Sequence, residues 1–187
     1  MMGFYSAVGP AVVAAYDFSQ FKAVADLGGG TGTLLAAILK ANEKLHGTLF
    51  ELAYAVPRAR QTIESLGLSA RCEVLEGDFF KAIPTGRDAY ILSHVLHDWN
   101  DEQTLSILRN CRAAIAKDGK LLIVEAVLPP GDKPHPGKLI DLLMLTVTGG
   151  LERTAEEYGE LLAAANFKLT RVVRTTIPQS VVEAVPA

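Results

Sequence analysis

The sequence predicts an α/β protein with an open, mostly parallel sheet of seven strands, an antiparallel last strand and helices on both faces. Short apolar runs that suit buried strands alternate along the chain with longer segments of helical periodicity. The first run, Val24 to Leu27, carries Asp26 and passes through a glycine cluster into an apolar helical segment. A strand, a tight turn and a helix in this order are typical of a unit of a parallel sheet.

The glycine cluster predicts a ligand-binding loop at the carboxyl edge of the sheet. A phosphate loop requires a lysine after its last glycine, and none follows Gly32. A dinucleotide loop would need glycine or alanine where Thr33 or Leu35 stands. The spacing that fits is Asp26-x-Gly28-x-Gly30-x-Gly32. An acid before the glycines suits a ligand with cationic amino and sulfonium groups, and a glycine turn without a ligand is the other interpretation.

Composition limits the classes of partner. The 187 residues, 49% of them hydrophobic, predict one domain with a sizeable core. A net charge of −3 without a basic cluster argues against a nucleic-acid partner. No apolar run approaches the roughly 20 residues that span a bilayer, so we expect no membrane partner. Cys72 and Cys111 lack a C-x-x-C pattern and the histidines lack metal-ligand spacing, so we expect reduced thiols, no metal and a cytoplasmic location.

The second and third strands are each followed by residues that suit an adenosine group. The predicted strand 47–50 ends at Glu51, 21 residues after Gly30, where an acid would bind ribose hydroxyls. A helix is expected over about 56–66. The strand 72–76 leads to Gly77-Asp78-Phe79-Phe80, where the acid could bind an adenine amine and an aromatic ring could pack on the base. A turn acid beside two core phenylalanines is the other interpretation.

The segment after the fourth predicted strand, 89–92, carries the most reactive side chains: two histidines, acids and the single tryptophan. A neutral histidine can accept a proton from a hydroxyl at pH 7, and a phenol of pKa about 10 needs such a base. Either His94 or His97 could serve, and a capping or core role is the other interpretation. Asn100 or Asp101 is expected to cap a helix that runs to about residue 116.

The remaining elements complete the sheet. The fifth strand, 120–124, would deliver Glu125 to the same edge, where it could hydrogen-bond the far nitrogen of the base. Residues 139–147 predict an apolar helix that walls a substrate pocket or packs in the core. Thr154 has the capping-box pattern for a helix that ends near residue 165. Strands are expected at 167–174 and, antiparallel, at 181–185.

Six segments in this order resemble the catalytic domain of the plant-type (family 2) S-adenosylmethionine-dependent O-methyltransferases. That family includes caffeic acid, isoflavone and hydroxyindole O-methyltransferases and bacterial enzymes that act on polyketides and phenazines. The segments are Asp26-Leu-Gly-Gly-Gly-Thr-Gly32, Gly77-Asp78-Phe79-Phe80, His94-Val-Leu-His97-Asp98-Trp99, Leu122-Ile-Val-Glu125, Asp141-Leu-Leu-Met144 and Gly149-Gly-x-Glu152-Arg153-Thr154. The resemblance implies a Rossmann-like methyltransferase fold and methyl transfer from S-adenosylmethionine to a hydroxyl of a small aromatic metabolite.

The resemblance also implies residue roles. His97 would be the general base, with Glu125 and Glu152 beside it. Contacts to the donor would come from Asp26, Gly28, Gly30, Glu51, Leu52, Gly77, Asp78, Phe79, Ser93 and Trp99. Glu51 stands where the family usually has aspartate, and Ser93 where plant members often carry lysine.

Length is the largest departure, because members of this family are about twice as long. Their N-terminal helical, winged-helix-like domain dimerises and supplies part of the substrate pocket. We expect a residual linking helix within residues 1–20, patterned over 3–17 and interrupted by Pro10, and a catalytic domain over 21–187. A natural short form, a fragment and a chain completed by a partner all fit. A second copy or another partner would then cover the apolar face left open, and a non-catalytic donor-binding or interaction module is the alternative function.

Overall fold

The computed structural model describes residues 7–187. Its central element is a sheet in which seven strands are hydrogen-bonded side by side. The strands in the order β3-β2-β1-β4-β5-β8-β7 are parallel except β8, which is antiparallel to both neighbours. A two-residue strand, β6, pairs in parallel with the end of β5. The bounds are β1 Ala23–Leu27, β2 His46–Glu51, β3 Cys72–Glu76, β4 Ala89–Ser93, β5 Lys120–Leu128, β6 Arg153–Thr154, β7 Phe167–Arg174 and β8 Gln179–Pro186. The predicted fold class is confirmed.

The helices lie on both faces of this sheet. They are α1 Val8–Ala15, α2 Thr33–Ala41, α3 Val56–Ser65, α4 Asp101–Ala114, α5 Gly137–Val147 and α6 Ala155–Ala164, with a 3-10 turn over Leu96–Asp98. Asn100 caps α4 by accepting the Gln103 N–H at 3.0 Å, and Thr154 and Glu157 form the predicted capping box of α6. None of the helices in the described range is long and apolar enough to cross a bilayer.

The helix predicted near the start of the chain differs from its prediction in two respects. Pro10 does not interrupt α1, because it lies in the first turn, where backbone N–H groups have no partner within the helix. Tyr16 and Asp17 follow the helix rather than belonging to it. The part of the predicted pattern that includes Phe4 lies outside the described residues.

Successive side chains of each strand point to opposite faces of the sheet, so the core has two layers. Val24, Ile91 and Val124 face α1, α2 and α3, whereas Ala25 and Leu92 face α4 and α6. The central strands are therefore apolar on both faces, which is typical of parallel sheets covered by helices. Their polar residues concentrate at the carboxyl ends, where the apolar layers stop.

One strand is longer than its pattern predicted, and one helix is more exposed. β5 continues through Glu125 to Leu128, because its end gains β8 on one side and β6 on the other: Glu125 pairs with Ser180, and Val127 with Arg153. Helix α5 leaves the core, and only Gly137 in it is buried. Four of its leucines are 48 to 75% exposed to solvent: Leu139, Leu142, Leu143 and Leu145. The interpretation of α5 as a core helix is wrong for these residues.

A buried carboxylate fixes α1 to the far side of the sheet. Glu183 in β8 is 5% exposed and accepts hydrogen bonds from Tyr16 at 2.5 Å, Thr170 at 2.7 Å, Arg171 at 3.0 Å and Lys120 at 3.2 Å. Burial disfavours its charge, but the hydrogen bonds from Tyr16, Thr170 and Arg171 outweigh burial and lower the pKa of Glu183 to about 2. The segment after α1 is thereby joined to β7 and β8.

Replacement of this carboxylate, Glu183→Gln, is expected to lower the free energy of unfolding at pH 7 by about 2 kcal/mol, because hydrogen bonds to a charged group are lost. The stabilisation is present above the ordinary glutamate pKa of 4.5 and disappears as the pH falls towards 2. Urea unfolding of both proteins at pH 7 and pH 3 measures this difference. Glu160→Gln, at an exposed position of α6, is the control. A difference that stays constant between the two pH values would contradict this account.

Candidate active site

The loop after β1 is built around three glycines with left-handed backbone conformations. The φ angles are 67° at Gly28, 61° at Gly30 and 79° at Gly32, a region that side chains rarely adopt. A Cβ on Gly28 would lie 3.1 Å from the Phe79 ring. Oε1 of Glu51, at the end of β2, accepts the Gly30 N–H at 2.7 Å. The loop is thus bound to the neighbouring strand end and leaves its open side free of side chains.

Asp26 lies beneath this loop and is fully buried. Neither of its carboxylate oxygens has a hydrogen-bonding partner among residues 7–187. Burial, together with the nearby charge of Glu51, raises the pKa of Asp26 to about 7. A buried acid in this condition would be stabilised in its charged form by a bound cation.

Two adjoining cavities open at this edge of the sheet. The larger, of about 480 Å³, is lined by residues that include Asp26, Gly28, Gly30, Ser93 and His94. The smaller, of about 190 Å³, is lined by residues that include Gly28, Glu51, Leu52, Gly77, Phe79 and Trp99. Gly28 and His94 line both cavities, so one elongated ligand could occupy them together. The structure thereby brings together nine of the ten predicted donor positions.

Asp78 is the exception, because it lines neither cavity. Its Oδ1 accepts the Phe80 N–H at 2.9 Å, and its other oxygen lies 3.5 Å from Lys81 Nζ. The carboxylate closes its own turn, as the turn interpretation of this segment expected. Of the adjacent aromatic residues, Phe79 lines the smaller cavity. Phe80 packs edge-on against Trp99, with ring centroids 4.9 Å apart.

The geometry distinguishes the two candidate bases. Nδ1 of His97 lies 2.8 Å from Oε1 of Glu152, and both residues are buried. Burial alone would lower the pKa of His97, but the hydrogen bond to Glu152 and the nearby carboxylates, Glu125 among them, raise it to about 9. Burial and the neighbouring His97 lower the pKa of His94 to about 4. His97 is therefore the more basic of the two histidines, with a pKa above the ordinary value of about 6.5 on which the sequence interpretation depended.

Glu125 does not hydrogen-bond the His97 ring, which corrects the expectation from sequence. Its Oε1 accepts three consecutive backbone N–H groups, from Val95 at 3.1 Å, Leu96 at 2.7 Å and His97 at 3.3 Å. Its Oε2 accepts the Tyr158 hydroxyl at 2.7 Å. The carboxylate therefore shapes the turn that carries His97, and influences the ring through charge.

Arg153 holds the same turn from its other side and was not predicted as a site residue. Its guanidinium is fully buried and donates to the Leu96 carbonyl at 3.1 Å, the Trp99 carbonyl at 2.9 Å and Oδ1 of Asp101 at 2.8 Å. Only its place beside Glu152 in the matched segment could have indicated it. A buried arginine cannot be recognised from charge pattern alone, because most arginines are exposed.

The sequence matches the family of O-methyltransferase domains over residues 2–168. The chain belongs to this family. Phenazine O-methyltransferase PhzM of Lysobacter antibioticus is 48% identical over 184 residues, which are 98% of this chain and 54% of that protein. Aclacinomycin 10-hydroxylase RdmB of Streptomyces purpurascens is 43% identical over 157 residues, 83% of this chain and 42% of the relative. The chain spans about half the length of the curated relatives it matches.

A solved structure of the same family shares the architecture and contains ligands. The O-methyltransferase NcsB1 from neocarzinostatin biosynthesis, in complex with S-adenosylmethionine and 2-hydroxy-5-methyl naphthoic acid, superposes with a TM-score of 0.89 at 36% identity. The match covers 99% of this chain and 56% of that one. The O-methyltransferase domain fold therefore extends over residues 7–187 of the present structure.

The buried cluster of this O-methyltransferase domain also has the composition of a metal site. Ligand-type atoms of His97, Glu125 and Glu152 lie within 4.8 Å of one another. One atom of each already takes part in a hydrogen bond: Nδ1 with Glu152, and Oε1 of Glu125 with backbone N–H groups. Oε2 of Glu152, in contrast, is buried and has no hydrogen-bonding partner among residues 7–187. The absence of a metal stays a prediction.

The raised pKa of His97 is testable by NMR titration of its imidazole signals. We expect a midpoint near pH 9 in this chain. Glu152→Gln should move the midpoint to 6.5 or below, because burial is then opposed by fewer charges. The stability that this pair provides is complete below pH 6.5 and is lost as the pH rises through about 9.

Glu156→Gln is the matched control, since Glu156 is exposed in the first turn of α6. A midpoint near 6.5 in the unmodified chain would show that Glu152 does not hold the imidazolium.

Proposed function

We propose that this chain transfers a methyl group from S-adenosylmethionine to a hydroxyl oxygen of a small aromatic molecule, with His97 as the general base. The observation that carries the proposal is the buried His97–Glu152 pair, in a turn whose neighbours Val95 and Asp98 line the smaller cavity. Family membership alone does not decide the reaction, because one relative is named a hydroxylase. A positioned base is what an oxygen nucleophile of pKa about 10 requires.

The residues present fit S-adenosylmethionine. The glycine loop offers backbone without obstructing side chains, Glu51 lies where ribose hydroxyls would bind, and Phe79 and Trp99 supply aromatic surface for adenine. The unpartnered, fully buried Asp26 suits the cationic part of the donor. When bound, the donor supplies an electrophilic methyl group on its sulfonium.

The chain's own residues manage the proton. Only the neutral form of His97 can accept the proton of the substrate hydroxyl: Nδ1 is engaged by Glu152, so Nε2 is the accepting atom, and below its pKa His97 must first lose a proton to solvent. A pKa of about 9 lies close to that of a phenol, which makes the transfer nearly balanced. Glu152 then stabilises the imidazolium, while Glu125 and Arg153 keep the turn in place. Rate enhancement comes from alignment and base assistance.

An aromatic acceptor is supported by the apolar helix α5. A cavity of about 340 Å³ is lined by Asp141 and Leu145 of α5 together with Glu152, so this helix adjoins the base pair. The exposed leucines of α5 provide apolar surface for a flat ring, and a second copy of the chain or another protein segment would pack over them. The His97–Glu152 pair favours an enzyme over a donor-binding module without catalysis.

His97→Ala should reduce methylation of unactivated phenols by about 10²–10⁴-fold, the usual contribution of a general base. Release of S-adenosylhomocysteine across a panel of naphthols and hydroxynaphthoates measures turnover. Affinity for S-adenosylhomocysteine should stay within a few-fold. His46→Ala, at an exposed position at the amino end of β2, is the control.

Two results would contradict the assignment of His97 as base. One is unchanged turnover in the His97→Ala chain. The other is a large loss of donor affinity, which would place His97 in donor binding. Donor binding without turnover on any phenol would favour the non-catalytic module.

The donor site is tested by calorimetric titration with S-adenosylhomocysteine, with NADH as the negative control. We expect micromolar binding of the first ligand and none of the second. Gly28→Ala should weaken binding at least tenfold, because the new methyl group would face Phe79 at 3.1 Å and Val95 at 3.2 Å where the two cavities meet.

Gly86→Ala is the matched control, since Gly86 has a φ of 79° and no heavy atom within 4 Å of an added Cβ. Both variants carry backbone strain of about 1–2 kcal/mol, but only Gly28→Ala should lose affinity. Equal affinities in the two variants would argue against the glycine loop as the donor site.

A further inference from the structure

The larger cavity carries two opposite charges that suit the proposed donor. Its charged lining residues within the described range are Asp26, which is buried beneath the glycine loop, and Arg58, which is exposed in the first turn of α3. The other polar side chains that line it include the hydroxyl groups of Thr31, Thr33 and Ser93. The cavity thus offers one acid and one permanent cation on different elements.

The guanidinium of Arg58 is available for a ligand. Within residues 7–187, its side chain has no hydrogen bond or ion pair, and only its backbone carbonyl is used, as acceptor for the Thr62 hydroxyl. Arg71, just before β3, differs: it donates to the carbonyls of Leu39, Asn42 and Leu45 at the end of α2.

The proposed donor requires a partner of this kind. Its amino-acid end carries an ammonium and a carboxylate, and a carboxylate taken from water needs charged or hydrogen-bonding partners. An arginine fork binds a carboxylate through two parallel N–H donors. Asp26 can oppose the cationic groups but would repel the carboxylate, so the two charges of the cavity suit the two ends of a zwitterion.

We propose that Arg58 binds the α-carboxylate of the methyl donor and so makes the site selective for ligands with an intact amino-acid end. The proposal rests on the donor site described under the proposed function. It assigns Arg58 to donor recognition only, and leaves the chemistry to His97.

The test compares two ligands that differ only in the carboxylate. S-adenosylhomocysteine and its decarboxylated analogue, which keeps the amino group, are titrated calorimetrically into the unmodified chain and into Arg58→Ala. Arg58→Ala should bind S-adenosylhomocysteine about tenfold more weakly, a change of about 1.4 kcal/mol, and the analogue equally well. Arg58→Glu should weaken S-adenosylhomocysteine further and leave the analogue unchanged or slightly tighter.

Arg60→Ala is the matched control. Arg60 lies on the same helix, is exposed, contacts the Val74 carbonyl at 3.4 Å and does not line the cavity. It should bind both ligands as the unmodified chain does. Circular dichroism spectra of the variants verify folding.

The outcomes separate the two proposals. If the unmodified chain binds S-adenosylhomocysteine but Arg58→Ala weakens both ligands equally, or neither, then Arg58 does not read the carboxylate and this inference alone fails. If the unmodified chain binds neither ligand, the donor site itself is overturned, and the role of Arg58 with it.

Discussion

The arrangement of the site depends on one turn, the segment between β4 and α4, and on two buried charges that hold it. Glu125 accepts the N–H groups of Val95, Leu96 and His97, while Arg153 donates to carbonyls of Leu96 and Trp99. Both side chains are fully buried, and a buried charge is tolerated only when it is paired and hydrogen-bonded. Because each charge is satisfied by the turn, the turn has one favourable conformation, and the position of the His97 ring follows from it.

Buried carboxylates affect pKa values differently at the two sides of the carboxyl edge of the sheet. At the β5 side, carboxylates surround a histidine, and the pKa of His97 rises to about 9, so positive charge compensates the acids within the protein. At the β1 side, no cation among residues 7–187 pairs with Asp26, and its own pKa rises to about 7 instead. The acids near His97 face a basic group of the protein, whereas Asp26 faces the cavity proposed for the donor. This difference distinguishes a site that holds a proton from one that attracts a cation.

The sequence predicted what depends on local pattern and could not predict what depends on distant contacts. Alternating apolar strands with glycines and acids at their ends sufficed for the sheet. Nine of the ten residues that the resemblance assigned to donor contacts line the two cavities, and the contacts themselves stay predictions. Glu125 accepts the backbone N–H of His97, 28 residues earlier in the chain, and the buried Arg153 donates to the carbonyl of Leu96, 57 residues earlier. No spacing rule connects residues that far apart. The exposure of α5 could not be predicted either, because an apolar helix has the same sequence pattern whether it faces a core, a ligand or a partner. Asp78 lies at the expected strand end and closes its own turn, and its contact with a donor stays a prediction.

Under the proposed function, different parts of the chain would bind the donor and the acceptor. The two cavities proposed for the donor are formed largely by the ends of β1, β2 and β4 and the loops after them, together with Val8 of α1. The turn that carries the proposed base is held by residues of β5, β6 and α6. The wall proposed for the acceptor is α5, whose leucines are exposed. Donor affinity should therefore be a property of this domain by itself, while acceptor affinity depends on whatever packs against α5. An acceptor held on an open wall would lose alignment with His97 before the donor lost its site, since alignment of the reacting atoms requires both to be fixed.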